Sequence, residues 1–170
     1  MKKPFIFLLL CCSLYVSAQQ NDCNTDAFII KGEIKNEITI SFKLLDSFTT
    51  SDIPDVVITN HLGEKRSEAK GMKGVLIKSI LERADIKVES PKQLSEFYFV
   101  FTACDGYKIV YSWNEIFNTE TGNHIFWVTE KNGSRGKELK EKMLTITPTD
   151  FKTGRRYIKG LTSITVNRVQ

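Results

Sequence analysis

Residues Phe97–Phe117 read FYFVFTACDGYKIVYSWNEIF, and this stretch decides what kind of fold the chain forms. Aromatic and β-branched residues dominate Phe97–Thr102 and Lys108–Tyr111, which predicts two strands. Asp105-Gly106 between them supplies the tight turn of a hairpin. Ser112 is placed to cap a short helix over Trp113–Phe117. Its hydroxyl would accept from an otherwise unpaired backbone N–H, and Glu115 would lie near the positive end of the helix dipole. Asp105 is therefore read as a turn residue, since the sequence identifies no partner with which it could share acid–base work.

On the N-terminal side, Ala27–Gly32 and Ile34–Phe42 read as strands, the second through the alternation of Ile38, Ile40 and Phe42. Leu44–Phe48 predicts a helical turn. The β-branched run Val56–Thr59 after Pro54 predicts a buried strand. His61–Met72 is polar with two glycines and predicts a loop or hairpin tip. Gly74–Ile86 is the clearest helix, with Leu76, Ile77, Ile80, Leu81 and Ala84 on one face and Lys78, Glu82 and Arg83 opposite. Towards the C-terminus, Ile125–Thr129, Leu144–Thr147 and Ile158–Val166 predict strands, with turns at Asn132-Gly133 and Thr153-Gly154. No repeat or linker divides the chain. The expectation is a single α+β domain over 27–170, with mixed or antiparallel sheets and one main helix.

The N-terminus reads as an export signal. Lys2 and Lys3 precede the apolar run Phe5–Val16, and Val16-Ser17-Ala18 fits signal peptidase. The run is shorter than the roughly 20 residues that span a bilayer. Cleavage after residue 18 would leave a loose tail over 19–26 and no membrane span. It would place the protein in a periplasm or outside the cell. A retained anchor and a lipoprotein are alternatives, the latter because Cys11 and Cys12 lie within the run, although Leu10 is not the small residue that lipidation expects. Losing Lys2 and Lys3 lowers the net charge from +4 to +2, which gives no reason to expect nucleic acid as a partner. Cys23 and Cys104 would survive cleavage. They either form a disulfide, which export permits, or remain unpaired.

Three segments in order carry a resemblance: the helix GVLIKSILERA (74–84), CDGYKIVYSWNEIF (104–117), and GRRYIKGLTSITV (154–166). Lys131-Asn-Gly and Pro148-Thr-Asp150 lie between the last two. The chain resembles the molybdopterin-binding domain of the sulfite-oxidase-type oxidoreductase family in a short, stand-alone form, over about residues 27–167. The resemblance implies a compact fold of mixed sheets and a molybdenum–pterin enzyme whose metal ligand is a Cys thiolate, a soft anionic donor suited to that metal. The matching stretch here is Thr59-Asn-His-Leu-Gly63, with His61 nearest the ligand position and no Cys close by. Leu144 stands where the family carries an Arg. Lys159 matches the family's cofactor-contacting Lys.

Cys104 is more simply a small core residue or a disulfide partner than a replacement ligand. His61 and His124 are the only histidines, too few for a structural zinc site. Arg155, Arg156 and Lys159 form the sharpest basic cluster. On a strand, Arg155, Tyr157 and Lys159 would share a face, able to hold a phosphate or carboxylate or else merely to protect a sheet edge. Neither a Ser-His-Asp order, HExxH nor a Gly-rich phosphate loop occurs.

The expected cofactor or anion pocket is therefore Lys159, Arg155 and His61. No catalytic or metal-binding residue is expected. The leading expectation is a non-catalytic binding or interaction domain that lost the thiolate, with no cofactor and an unidentified protein or small anion as partner. The alternatives are a molybdopterin-dependent oxidoreductase, or its cofactor subunit, with a degenerate site, and a cell-envelope structural module. The signal bears on this choice. Cofactor-loaded proteins of this kind are exported folded behind twin arginines, whereas no Arg precedes Arg66.

Overall fold

The computed structural model describes residues 25–170. The expected signal over 1–18, the tail up to Asn24, and Cys23 lie outside the described residues. The chain first forms β1 (Ala27–Gly32), β2 (Ile38–Ser41), β3 (Ser51–Ile53), β4 (Val56–Thr59), β5 (Lys65–Ala69) and β6 (Met72–Leu76), then α1 (Ile77–Leu81). It continues with β7 (Phe97–Ala103), β8 (Lys108–Ser112) and α2 (Trp113–Phe117). The last elements are β9 (Phe126–Lys131), β10 (Ser134–Arg135), β11 (Leu144–Ile146) and β12 (Leu161–Arg168). The result is an α+β fold of mixed sheets with few, short helices.

The Phe97–Phe117 stretch folds as its pattern predicts. In β7, Phe97, Phe99, Phe101 and Ala103 are buried and alternate with half-buried residues. β8 pairs antiparallel with β7, Val100 opposite Val110. The Ser112 hydroxyl accepts from the Glu115 N–H at 3.0 Å and starts α2. β12 pairs with the other side of β7, and β1 lies parallel to β12, giving the order β2-β1-β12-β7-β8.

A second sheet runs β10-β9-β6-β3, with β11 also on β9. Both faces of β9 are buried. Ile125 just before it and Trp127 within it enter the main core, whereas Phe126 and Val128 enter a second core with Val56, Ile58 and Ala69 of the β4–β5 hairpin. This sheet is thus the middle layer, between the first sheet and the hairpin. Trp127 is fully buried and packs edge-on against Phe28 at 5.8 Å and stacked on Phe42 at 5.4 Å. Such pairs add about 1 kcal/mol beyond area burial.

Three expectations are corrected. Gly74–Ile86 is not one helix: Gly74–Leu76 belong to β6, α1 has five residues, and α2 is no shorter. The strand wins because Gly74 lies against β9, where an added Cβ would stand 2.6 Å from the Trp127 carbonyl oxygen. From Ile77 onward the helical spacing holds, with Ile77, Ile80, Leu81 and Ala84 buried. The polar segment 61–72 is not all loop, since β5 and the start of β6 lie within it. Ile34–Phe42 yields a strand only from Ile38, and a 3-10 turn replaces it from Phe42 to Ser47.

Candidate functional site

The segment Thr153–Arg156 is a 3-10 turn on which three parts of the chain converge. The Thr153 hydroxyl donates to the Val57 carbonyl at 2.6 Å and accepts from the Thr59 N–H at 3.1 Å. Gly154 then passes so close that a Cβ would stand 1.9 Å from the Thr59 carbonyl oxygen. These contacts dock the end of β4. Beside them, the Lys152 ammonium donates to the His61 carbonyl at 2.8 Å. From the β7–β8 turn, the Tyr107 hydroxyl donates to the Arg155 carbonyl at 2.7 Å.

Arg156 turns inward. Its Nε donates to Asp150 at 2.7 Å, a second nitrogen donates to the same carboxylate, and a third donates to Glu115. The guanidinium lies 4.4 Å over the Tyr111 ring, and the Tyr111 and Thr147 hydroxyls share a buried hydrogen bond of 2.7 Å. Burial opposes the charge on Arg156, but its hydrogen bonds to Asp150 and Glu115 outweigh it and hold the pKa above the ordinary value. Burial pushes the Tyr111 hydroxyl well above the usual tyrosine range. One guanidinium facing two carboxylates leaves the cluster net negative. The cavity of about 320 Å³ that opens beside it, past Glu120, His124 and Phe151, is therefore unsuited to an anion.

The residues expected to form an anion pocket are only partly brought together. His61 lies exposed between β4 and β5, its carbonyl bound by the exposed Lys152, and Arg155 is exposed three residues further along the chain. Lys159 belongs to a separate group. Its ammonium is 3.9 Å from Glu141, which also accepts from Lys131 at 3.1 Å, and 5.6 Å from the Tyr157 ring centroid. Desolvation opposes the charge on Lys131, yet the Glu141 hydrogen bond raises its pKa on balance. The shared strand face expected for Arg155, Tyr157 and Lys159 does not form, because 153–156 is helical and β12 starts only at Leu161. Gly154 makes that turn feasible by its approach to Thr59.

Sequence reasoning missed the Arg156 cluster. Its signal was present in three charged residues set within the resemblance motifs: Glu115 after Ser-Trp, Asp150 after Pro-Thr, and Arg156 beside Arg155.

The resemblance implies a Cys thiolate as the metal ligand of a molybdenum–pterin group. Cys104, the one cysteine among the described residues, is disulfide-bonded and as such offers none. Its expected partner Cys23 lies outside the described residues. Among the described residues no group of three or more His, Cys, Asp or Glu is arranged to hold a metal ion. The described residues therefore supply no thiolate for the ligand role that the resemblance implies, and no chemistry is derived through the group.

No family model matches the chain, and no curated protein matches it. Among solved structures, the sulfane dehydrogenase SoxCD from Paracoccus pantotrophus superposes with a TM-score of 0.57 at 13% identity. The match covers 85% of this chain but 38% of that one. The chain thus corresponds to a part of SoxCD, and what the two share is the fold.

Proposed function

We propose that this chain is an exported, non-catalytic binding domain built on the molybdopterin-binding fold, in which the metal-ligating thiolate has been lost. The observation that carries the reading is the state of Cys104, held in a disulfide rather than free. The internal pairing of Arg156 by Asp150 and Glu115 supports it, since these carboxylates occupy a cation that could otherwise grip an anionic cofactor. The lysine-led N-terminus supports general secretion of an unfolded, and therefore empty, chain. Elemental analysis with pterin fluorescence, on protein purified from its native host, tests the reading. The expected result is neither molybdenum nor pterin, with no reduction of dye acceptors. Stoichiometric molybdenum would overturn it.

A second reading, a degenerate molybdenum–pterin oxidoreductase or its cofactor subunit, is favoured by the fold shared with a sulfane dehydrogenase. In it, His61, Arg155 and Lys159 would contact the pterin or its phosphate, and a partner would carry electrons. The same elemental analysis separates the two.

A further inference from the structure

The first sheet ends at β8, and the hydrogen-bond pattern shows which of its backbone groups are used. The Ala103 N–H donates to the Tyr107 carbonyl at 2.9 Å, and bonded pairs alternate along an antiparallel ladder. The next bonded pairs are therefore Phe101 with Ile109 and Phe99 with Tyr111. Lys108 and Val110 turn their N–H and carbonyl groups away from β7. Among the described residues nothing bonds to them on that outer side.

Edge strands ordinarily carry a defence against pairing with another chain. In β5, Lys65, Arg66 and Glu68 supply charge. The outer edge of β4 is taken by Thr153, which bonds the Val57 carbonyl and the Thr59 N–H. β3 and β10 have only three and two residues, and Pro54 follows β3. β2 has four and runs into a 3-10 turn. β8 is different. It has neither a proline nor a bulge, its one charge is Lys108 at its start, and Val110 at its middle is 54% exposed.

We infer that β8 pairs antiparallel with β8 of a second copy of this chain, about a twofold axis at Val110. The strand is complementary to itself in that register. Val110 meets the partner's Val110 as a bonded pair, each N–H donating to the other carbonyl. Val100, beside Val110 on the outer face, extends the apolar row in both copies. Lys108 falls opposite the partner's Ser112, so no like charges meet. An axis centred on Lys108 would bring two ammonium groups together, so Lys108 selects the register. Beyond Ser112 the chain turns to the inner face, where α2 buries Ile116 in the main core, and Glu115 is held there by Arg156. One patch serves both copies, as a twofold contact requires. Two five-residue strands make a small contact beside the roughly 1,000 Å² of a stable interface, so the dimer is weak and concentration-dependent. The inference is independent of the cofactor reading.

The test is sedimentation velocity on the purified protein over a concentration series, in which a monomer should give way to a dimer. Val110→Pro removes a donor on the outer side alone and leaves the β7–β8 ladder intact. It should weaken association by at least about tenfold. Val110→Lys keeps the donor but sets like charges against each other on the axis. It should weaken association by roughly fivefold, and less as salt rises, and it serves if the proline variant does not fold. Val110→Cys should cross-link under mild oxidation, its Cα atoms about 5.5 Å apart across the axis, whereas Thr39→Cys on β2 should not. Three results would overturn the inference: a monomer at every concentration, a dimer as tight in Val110→Lys as in the unaltered chain, or cross-linking through Thr39→Cys instead of Val110→Cys.

Discussion

Arg156 joins a helix, a loop and an aromatic ring through one planar group, and it remains 20% exposed. Removing such a partner leaves two carboxylates facing each other over Tyr111. Arg156→Met should cost about 2 kcal/mol, less than the roughly 3–5 kcal/mol of a fully buried pair because the guanidinium keeps some solvent, measured as a shift in the urea midpoint. Arg156→Lys should recover only part of this, since an ammonium cannot engage a carboxylate as a planar fork. Tyr111 beneath it makes stability pH-dependent at the alkaline end. Its native pKa is raised above the ordinary 10.0, so its contribution is complete below that pH. As pH rises further, the unfolded chain gives up a proton that the native state keeps, and stability falls. Tyr111→Phe should flatten that alkaline limb in melts taken from pH 8 to 11. Arg155 and Arg156 are adjacent and chemically identical, so the sequence offered no way to tell the inward one from the outward one. Only the 3-10 turn around Gly154 decides it.

At the scale of elements, legibility followed solvent. The β7–β8 hairpin was readable because burial alternates along β7 and Asp105-Gly106 marks the turn. β6 was not. In the middle layer Gly74 and Val75 are both buried, and strands buried on both faces lose the alternation that identifies them. The leucines and isoleucines continuing into α1 then completed a false helical period. β5 was missed for the opposite reason, because four of its five residues are exposed and its polarity imitates a loop. The β4–β5 hairpin pairs with neither large sheet; it is attached by the second core and, at the end of β4, by Thr153 and Gly154. Gly154→Ala would drive a Cβ into the Thr59 carbonyl, so it should destabilise the protein by about 2 kcal/mol. Amide exchange in 56–69 should rise more than in β7.

The whole molecule is drawn together at its N-terminal end by a chain of bonds. Cys104 N–H donates to the Gly160 carbonyl, Gly160 N–H to the Lys142 carbonyl, and the Lys142 ammonium to Asp26. Cys23 precedes Asp26 by three residues, a reach of about 10 Å. A non-reducing peptide map should therefore pair Cys104 with Cys23. Reduction should lower stability by about 4.5 kcal/mol, the chain-entropy value for a loop of roughly 80 residues. Recovery of both cysteines as free thiols in the purified protein would contradict this pairing. The expected pocket was legible only in outline at this scale. His61 and Arg155 do reach one end of the fold, but Lys159 is drawn away by Glu141.

The order β2-β1-β12-β7-β8 has a kinetic consequence. The central strand of the first sheet follows the other four in sequence. Until Leu161–Arg168 arrives, two hairpins face each other across a gap, each with an open edge able to pair with a neighbouring molecule. The pairing of β1 with β12 also spans nearly the whole described chain, and contacts so distant in sequence make folding slow. A chain emerging N-terminus first through a pore would pass through that half-zipped state on every occasion. Its yield would then depend on how fast the last strand is released and on what shields the two edges meanwhile.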